Sequence, residues 1–185
     1  MKSVAPGQKY DADYARDRAE IEDLMARYLF ALDYNDLDSF AAMFTDDIEF
    51  DFAPGTVRGK QELLDTVRRF KERIGSVYTD VDGNPAILRH ILGQTVIRVE
   101  GDRAWIRAQW FETANDGPRN ASGRLTPTIG TFGIYEDELR RVEGRWLFSK
   151  RRVLNEFLNG RHSGPGNPVL DMDASAETET EIGGR

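Results

Sequence analysis

The first half of the chain places apolar residues at the spacing of α-helices. From Asp17 onward, apolar side chains recur at positions i, i+3, i+4 and i+7, which predicts a long amphipathic helix. The interval from Asp17 to Glu20 fits a capping box at its start. Asn35 or Asp36 can cap a second, short helix, and a third is predicted over residues 60–74. Each of these helices presents one apolar face.

A period of about two residues, which is the pattern of β-strands, appears once before the third helix and then dominates after it. A short strand is predicted at residues 48–52. Four long strands are predicted at residues 87–99, 103–114, 126–140 and 145–157. Hairpin turns are expected at residues 100–102 and 143–144. The element order is an α+β layout, in which three N-terminal helices cover a strongly curved antiparallel sheet and enclose a pocket.

A single domain accounts for most of the chain. The sequence has 185 residues, and a typical domain has about 150. Residues 1–12 are polar and aperiodic, which predicts a flexible N-terminal arm. Residues 13–157 hold all the predicted helices and strands. Residues 158–185 are rich in glycine and proline and then acidic, which predicts a disordered tail.

The composition removes several classes of chemistry. The chain has no cysteine and two histidines, His90 and His162. Disulfides, thiolate nucleophiles and iron–sulfur clusters are therefore excluded, and no metal site is expected. The sequence has no glycine-rich phosphate loop and no dinucleotide fingerprint. We therefore expect no organic cofactor either.

Charge and hydropathy indicate a protein that binds neither nucleic acid nor a membrane. The formal net charge is −7, from 25 basic and 32 acidic residues, whereas nucleic-acid binders carry clustered basic residues. No apolar run approaches the roughly 20 residues that a bilayer-spanning helix needs. The N-terminal residues show no apolar segment typical of a secretory signal. These features predict a cytoplasmic protein.

Three side chains are candidates for proton transfer. Asp33 lies at the inner end of the first helix, and it is either a buried site carboxylate or a water-exposed helix-end residue. His90 lies early in an apolar strand, either as a base that works near neutral pH or as a structural histidine. Tyr28 lies on the apolar stripe of the first helix, where its hydroxyl either faces a cavity or belongs to an ordinary core tyrosine.

Aromatic and basic residues offer further contacts for a ligand. An apolar wall is expected from Phe44, Phe50, Phe52, Trp110 and Phe132. Phe52 and Trp110 are the predicted substrate contacts, although core packing is the favoured explanation for any one of these rings taken alone. Arg107, Arg151 or Arg152 can hold an anionic group. Arg151 and Arg152 are adjacent on one strand and face opposite sides, and the sequence does not choose among the three arginines.

Six different short motifs follow one another along the chain. They are Ile21-Glu-Asp-Leu-Met-Ala-Arg-Tyr-Leu-Phe-Ala-Leu-Asp33, Asp38-Ser-Phe40, Phe44-Thr-Asp-Asp-Ile48, Arg89-His90, Gly101-Asp-Arg-Ala-Trp105 and Gly144-Arg-Trp-Leu-Phe148. Together they resemble the SnoaL-like branch of the nuclear transport factor 2-like superfamily. The resemblance implies a cone-shaped α+β barrel with a deep apolar pocket. Members similar to bile-acid 7α-dehydratase and scytalone dehydratase use a His and an Asp in that pocket, often with a Tyr, which match His90, Asp33 and Tyr28.

The resemblance implies a cofactor-independent lyase or isomerase. Its small hydrophobic substrate would carry a ring, as in a steroid, a polyketide or an aromatic compound, and would lose a proton to the His/Asp pair with assistance from the Tyr. We therefore expect Asp33 to lie within hydrogen-bonding distance of a ring nitrogen of His90. The alternative is a non-catalytic ligand-binding or assembly domain, because a fold does not fix a function. A homodimer or homotrimer is also expected, since the long strands are apolar on parts of both faces and a monomer would expose an unusually large apolar patch.

Overall fold

The computed structural model describes residues 8–173 of the chain. The helices are α1 (Ala12–Asp33), α2 (Leu37–Ala41), α3 (Lys60–Val77) and α4, which covers residues 168–173. The strands are β1 (Phe44–Phe52), β2 (Gly55–Arg58), β3 (Leu88–Glu100), β4 (Arg103–Ala114), β5 (Thr128–Val142) and β6 (Arg145–Asn155). Within the described part of the chain, no helix has both the length and the apolar character that crossing a bilayer requires.

The six strands form one open sheet in the order β2-β1-β6-β5-β4-β3. The mixed α+β class is therefore confirmed, but β2 and β3 form the two edges of a sheet that does not close into a ring. β1 runs parallel to β6, whereas all other neighbouring strands are antiparallel. The prediction of a wholly antiparallel sheet is wrong for this pair, because the pairing joins the first strand to the last and no local pattern records it.

Two elements are absent from the sequence-based prediction. β2 is a strand of four residues that pairs with β1 directly after the predicted turn at Pro54. Such a short strand shows too few alternations to be recognised from sequence. α4 lies in the segment that was predicted to be disordered, so the described residues contain four helices instead of three N-terminal ones.

α1 begins earlier than its sequence pattern predicts. Asp11 caps the helix, since its side chain accepts a hydrogen bond from the backbone N–H of Tyr14 at 3.0 Å. Asp17, the predicted cap, is instead a buried residue within the helix and pairs with Arg141 at 2.8 Å. The first turns are mostly polar, so the apolar period becomes visible only after the helix has begun.

The core lies between the helices and one face of the sheet. Ile21, Met25 and Leu29 are buried along α1, which confirms the apolar face predicted for this helix. The ring of Phe44 packs in this core, with its centroid 5.6 Å from that of Phe148. Phe44 therefore contributes to core packing and is not among the residues that line the cavity described below.

Both predicted hairpin turns are present. Gly101 has a φ of 57°, and Glu143 and Gly144 have φ values of 50° and 76°. Two successive residues with positive φ are typical of a type I′ turn, whose twist matches that of the flanking strands. These turns give the β3–β4 and β5–β6 hairpins a connection that the local sequence encodes.

The segment after β6 contacts the sheet instead of leaving it. Met172 on α4 is fully buried against Trp105, and Val169 packs beside it. Asp173 lies 3.5 Å from Arg98. These contacts differ from the predicted disordered tail, whose glycine- and proline-rich composition gives no sign of a docked helix. The rest of that tail and residues 1–7 of the predicted arm lie outside the described residues.

Candidate active site

The end of α1 meets the start of β3 through a carboxylate and an imidazole. Asp33 is the last residue of α1, and its Oδ1 lies 2.7 Å from Nδ1 of His90. The other carboxylate oxygen accepts a hydrogen bond from the backbone N–H of His90 at 2.9 Å. The two contacts fix the ring relative to the carboxylate. The predicted contact between these two residues is therefore confirmed.

Burial decides between the two interpretations of Asp33. The Asp33 side chain is 7% exposed, and that of His90 is 18% exposed. Asp33 is therefore not a solvated helix-end residue. A carboxylate accepts hydrogen bonds, so Nδ1 of His90 carries the hydrogen in this contact. Nε2 is then the ring nitrogen with a lone pair, as a general base requires.

A second carboxylate lies on the other side of the imidazole. Oε2 of Glu112 is 3.5 Å from Nε2 of His90, and the Glu112 side chain is 13% exposed. Burial raises the pKa of Glu112, and the charges of Asp33 and Asp116 raise it further, while His90 opposes the shift. Glu112 is thus able to hold a proton at a higher pH than an exposed glutamate.

Glu112 is not among the residues predicted from the sequence, although its position two residues after Trp110 was a signal. His90 and Glu112 are directly opposite each other in the β3–β4 register. Side chains two residues apart on a strand share a face, so Glu112 lies on the same face as Trp110, which had been predicted to face a ligand. What the sequence does not contain is the register that brings this glutamate to His90.

Two tyrosines, Tyr28 and Tyr135, line the same cavity as Asp33, His90 and Glu112. Tyr28 is 3% exposed, and burial raises its pKa, with Arg151 opposing the shift. Its phenol therefore stays neutral and able to donate a hydrogen bond. Tyr135, which the sequence analysis did not select, stacks on Trp110 with centroids 5.6 Å apart, and burial raises its pKa well above the usual value.

These side chains line one cavity of about 760 Å³. Tyr28, Asp33 and His90 all line it, together with the predicted substrate contacts Phe52 and Trp110. Most of the wall is apolar, with contributions from Phe40, Phe50, Phe70, Val67, Ile74, Val153 and Leu158. The three candidates for proton transfer thus line one pocket whose wall is mostly apolar.

A second predicted wall residue, besides Phe44, lies outside the cavity lining. Phe132 is 49% exposed and packs edge-on against Phe157, with centroids 5.0 Å apart. In the register of the sheet it is opposite Phe111, which is opposite Ile91. Ile91 is next to His90 on β3, so this row lies on the sheet face that points away from the cavity.

The three candidate arginines are all engaged by carboxylates. Arg151 is fully buried and forms two hydrogen bonds with Asp137, at 2.7 and 2.6 Å. Arg152 and Arg107 both pair with Glu136, at 3.4 and 3.8 Å. None of the three lines the cavity, so the possibility that one of them holds an anionic group of a ligand there has no support in the structure. The strand pattern could place them on a face but could not supply their partners.

Two other cationic residues do line the cavity. Lys71 on α3 donates a hydrogen bond from Nζ to the carbonyl oxygen of Leu32, and burial lowers its pKa while Asp33 opposes the shift. The guanidinium of Arg89 lies 4.5 Å from the ring centroid of Tyr34. The other basic residues near it on α3, Arg68, Arg69 and Arg73, are exposed.

Sequence comparison finds relatives of about the same length. An uncharacterised protein of Mycobacterium tuberculosis is 27% identical over 136 residues, which cover 73% of this chain and 82% of the relative. A protein of Mycobacterium bovis, also uncharacterised, matches to the same extent. No reaction is assigned to either relative.

Solved structures show the same fold at low sequence identity. A candidate scytalone dehydratase from Novosphingobium aromaticivorans superposes with a TM-score of 0.61 at 20% identity, covering 83% of this chain and 96% of that one. The crystal structure of LinA gives a TM-score of 0.61 at 22% identity, covering 83% and 97%. The SnoaL-like domain model matches residues 13–152. With most of its length matched and its fold shared, the chain belongs to the SnoaL-like domain family.

Proposed function

We propose that this protein is a cofactor-independent lyase or isomerase that removes a proton from a small, ring-bearing, apolar substrate. The observation that carries the proposal is the ordered series Asp33–His90–Glu112 in the lining of a mostly apolar cavity. A structural histidine needs one partner, whereas this imidazole has a carboxylate near each ring nitrogen and opens on a cavity. Such an arrangement supports general acid–base catalysis.

The proton abstraction is assigned to His90. With Nδ1–H donating to Asp33, Nε2 accepts a proton from a carbon next to a substrate carbonyl group. The resulting imidazolium is stabilised by the negative charge of Asp33, as in other carboxylate–histidine pairs. Tyr28, kept neutral by burial, donates a hydrogen bond to the carbonyl oxygen, on which negative charge develops.

The proton for the leaving group is assigned to Glu112. In a dehydration, the electron pair of the broken C–H bond forms the new double bond, and the hydroxyl leaves with the Glu112 proton as water. The imidazolium then returns its proton to Glu112 across the 3.5 Å that separates Nε2 from Oε2. In an isomerisation, the imidazolium instead returns its proton to another substrate carbon. Both reactions balance without an oxidant or reductant.

The size and lining of the cavity support a ring-bearing substrate. A volume of about 760 Å³ is within the range of roughly 300–1,000 Å³ typical of small-molecule sites. The stacked pair Trp110 and Tyr135 offers a flat surface for a ring. The structural similarity to a candidate scytalone dehydratase favours dehydration among the possible reactions.

A non-catalytic ligand-binding domain is the second candidate. It is favoured by the completeness of the Asp33–His90 contact, because these two polar groups satisfy each other as a structural pair would. The same apolar cavity would then hold a ligand without converting it.

A screen with a histidine variant separates the two candidates. Hydroxy-carbonyl ring compounds are incubated with the protein and monitored for new conjugated absorbance. His90→Ala is expected to slow conversion about 10²–10⁴-fold. The matched control is His162→Ala, since His162 is exposed and does not line the cavity. If wild type and His90→Ala convert the same compound equally fast, His90 is not the base and the binding function is favoured.

We also propose that the protein is a homodimer or a homotrimer. The sheet face opposite the cavity carries the row Ile91, Phe111 and Phe132, of which Ile91 is 41% and Phe132 is 49% exposed. A second copy packed on this face would remove the row from water. Light scattering at micromolar concentration should give two or three times 21.0 kDa, and a particle of 21.0 kDa would refute the proposal.

A further inference from the structure

The cavity contains cationic groups that the proposed chemistry does not use. Lys71 and Arg89 are its two basic lining residues apart from His90. In the part of the chain that the structure describes, neither forms an ion pair with a carboxylate. Each is satisfied only by a backbone carbonyl or an aromatic ring. A basic group that lines a cavity without an acidic partner suits an anionic ligand.

The two cations contact the residues that flank Asp33 in the sequence. Three consecutive residues at the end of α1 receive them: the Leu32 carbonyl accepts from Lys71, Asp33 contacts His90, and the Tyr34 ring lies under Arg89. Both cations therefore contact residues that are next to Asp33 in the sequence. Asp33 in turn contacts His90, the residue that would remove the substrate proton. An anion held there would place the rest of the substrate against His90.

The acidic residues of the cavity form no direct pair with these cations, although the charge of Asp33 acts on Lys71 through space. Asp33 and Glu112 are its two acidic lining residues, and both lie against His90, at 2.7 and 3.5 Å. Both oxygens of Asp33 are already occupied, one by the ring and one by the backbone N–H of His90. Lys71 is part-buried, so it has lost water that an anionic ligand would replace with a charge-assisted hydrogen bond.

We propose that the substrate is an anion, an apolar ring compound with a carboxylate that Lys71 binds and whose charge Arg89 also attracts. The inference rests on the proposed function for the assignment of the cavity as the substrate site. It adds a specificity that proton transfer does not require, because Asp33, His90 and Glu112 would act equally well on a neutral compound. Lys71 is then a specificity-determining residue, and Arg89 has the smaller part.

A purely structural role for Lys71 makes a different prediction. A cation near the C-terminal end of a helix stabilises its carbonyl groups, and the contact with Leu32 is of that kind. In that case the loss of Lys71 would lower the stability of α1, but it would not change the preference of the cavity between a charged and a neutral ligand.

The test compares 2-naphthoate with the neutral 2-naphthamide by isothermal titration calorimetry at pH 7. The wild type should bind the carboxylate about tenfold more tightly, as expected for one charge-assisted contact. Lys71→Gln should remove the preference by weakening naphthoate alone, and Lys71→Arg should retain it. Arg89→Gln should reduce the preference by less. Arg73→Gln is the matched control, since Arg73 is exposed on the same helix and outside the cavity.

The outcomes separate this inference from the proposed function. Equal affinities for the two probes in the wild type, or no binding of naphthoate, would overturn it, as would a preference that survives in Lys71→Gln. If Lys71→Gln proves unstable, loss of the wild-type preference in Lys71→Met, checked by thermal unfolding, carries the same decision. Binding does not require turnover, so a carboxylate preference without any conversion supports the anion site while the enzyme proposal fails.

Discussion

Two buried carboxylates in this protein have opposite surroundings. Asp137 pairs with Arg151, both side chains are 0% exposed, and two hydrogen bonds join them. Asp33 pairs with His90, whose side chain is 18% exposed and lines a cavity. The first pair is closed on all sides, whereas the second leaves one ring nitrogen facing open space. Burial is thus a property of both the structural pair and the candidate catalytic pair. What distinguishes the candidate catalytic pair is that a ligand in the cavity can reach His90.

The partner decides what each carboxylate can do. Burial opposes the charge on Arg151, but the neighbouring Asp137 raises its pKa further above the usual range, so the guanidinium stays charged near neutral pH. The guanidinium is also enclosed by the rings of Tyr28 and Tyr135, 3.9 and 4.4 Å away. A histidine, unlike an arginine, can change its charge near neutral pH, and general acid–base catalysis needs this property.

The largest expected effect concerns the closed pair. Asp137→Ala leaves a buried guanidinium without its counterion, so the free energy of unfolding should fall by about 3–5 kcal/mol. Urea denaturation followed by circular dichroism measures the change. Asp23→Ala is the control, because its partner Arg27 and Asp23 itself are both exposed, and it should cost at most about 1 kcal/mol. Similar losses in both variants would mean that burial does not determine how much these ion pairs contribute to the free energy of unfolding.

The open pair should respond in rate and not in stability. In Asp33→Asn, the amide oxygen can accept from the backbone N–H of His90 while the amide NH₂ donates to Nδ1, which leaves the hydrogen on Nε2. His90 then cannot act as a base, so kcat should fall about 10²-fold or more. Steady-state kinetics with a substrate from the screen measures this.

Asp38→Asn is the control for this prediction, since Asp38 is an exposed residue of α2. It should leave kcat unchanged. If Asp33→Asn destabilises the fold strongly but keeps its rate, the contact with His90 is structural, like that of Asp137 with Arg151.

Glu112 is expected to make the free energy of unfolding depend on pH. Its pKa in the folded protein is raised above 4.5, so its burial costs no stability at a pH low enough to protonate it in both states. The cost develops as the pH rises through the raised pKa, because the unfolded state then binds fewer protons than the folded one. Glu112→Gln should therefore be more stable than wild type at pH 7, with the gain disappearing near pH 4.

The same substitution tests the proposed acid. Turnover by wild type should fall as the pH rises through the pKa of Glu112, since the leaving group then lacks its proton. In Glu112→Gln this alkaline decline should be missing, and the rate should be low throughout. A pH–rate profile measures both, and an unchanged profile would remove Glu112 from the mechanism.

The smallest effect is expected at Tyr28. Tyr28→Phe removes one neutral hydrogen bond of about 1 kcal/mol, which corresponds to a loss in kcat of roughly fivefold to tenfold. The ring would keep its place under Arg151. Phe40→Leu, another change in the lining, controls for altered packing. A loss as large as that of His90→Ala would instead make Tyr28 a principal acid.

Local patterns were sufficient where structure depends on near neighbours in sequence. The apolar stripe of α1 follows from a period of 3.6 residues, and the hairpin turns at Gly101 and Gly144 follow from residues that accept positive φ. The pattern also placed Asp33 at the edge of that stripe and His90 among apolar strand residues. For these two residues, position on an element together with family resemblance was enough to predict their contact.

Long-range pairing was decided by the tertiary structure alone. The position of Glu112 opposite His90 depends on the β3–β4 register, and the parallel contact of β1 with β6 joins distant parts of the chain. Whether Lys71 faced solvent or the cavity depended on where α3 packs. The sequence determined the elements and the apolar face of each, because these arise from local periodicity. Which polar groups meet was settled only by folding, because their partners come from other elements and satisfy each other only when packing removes water.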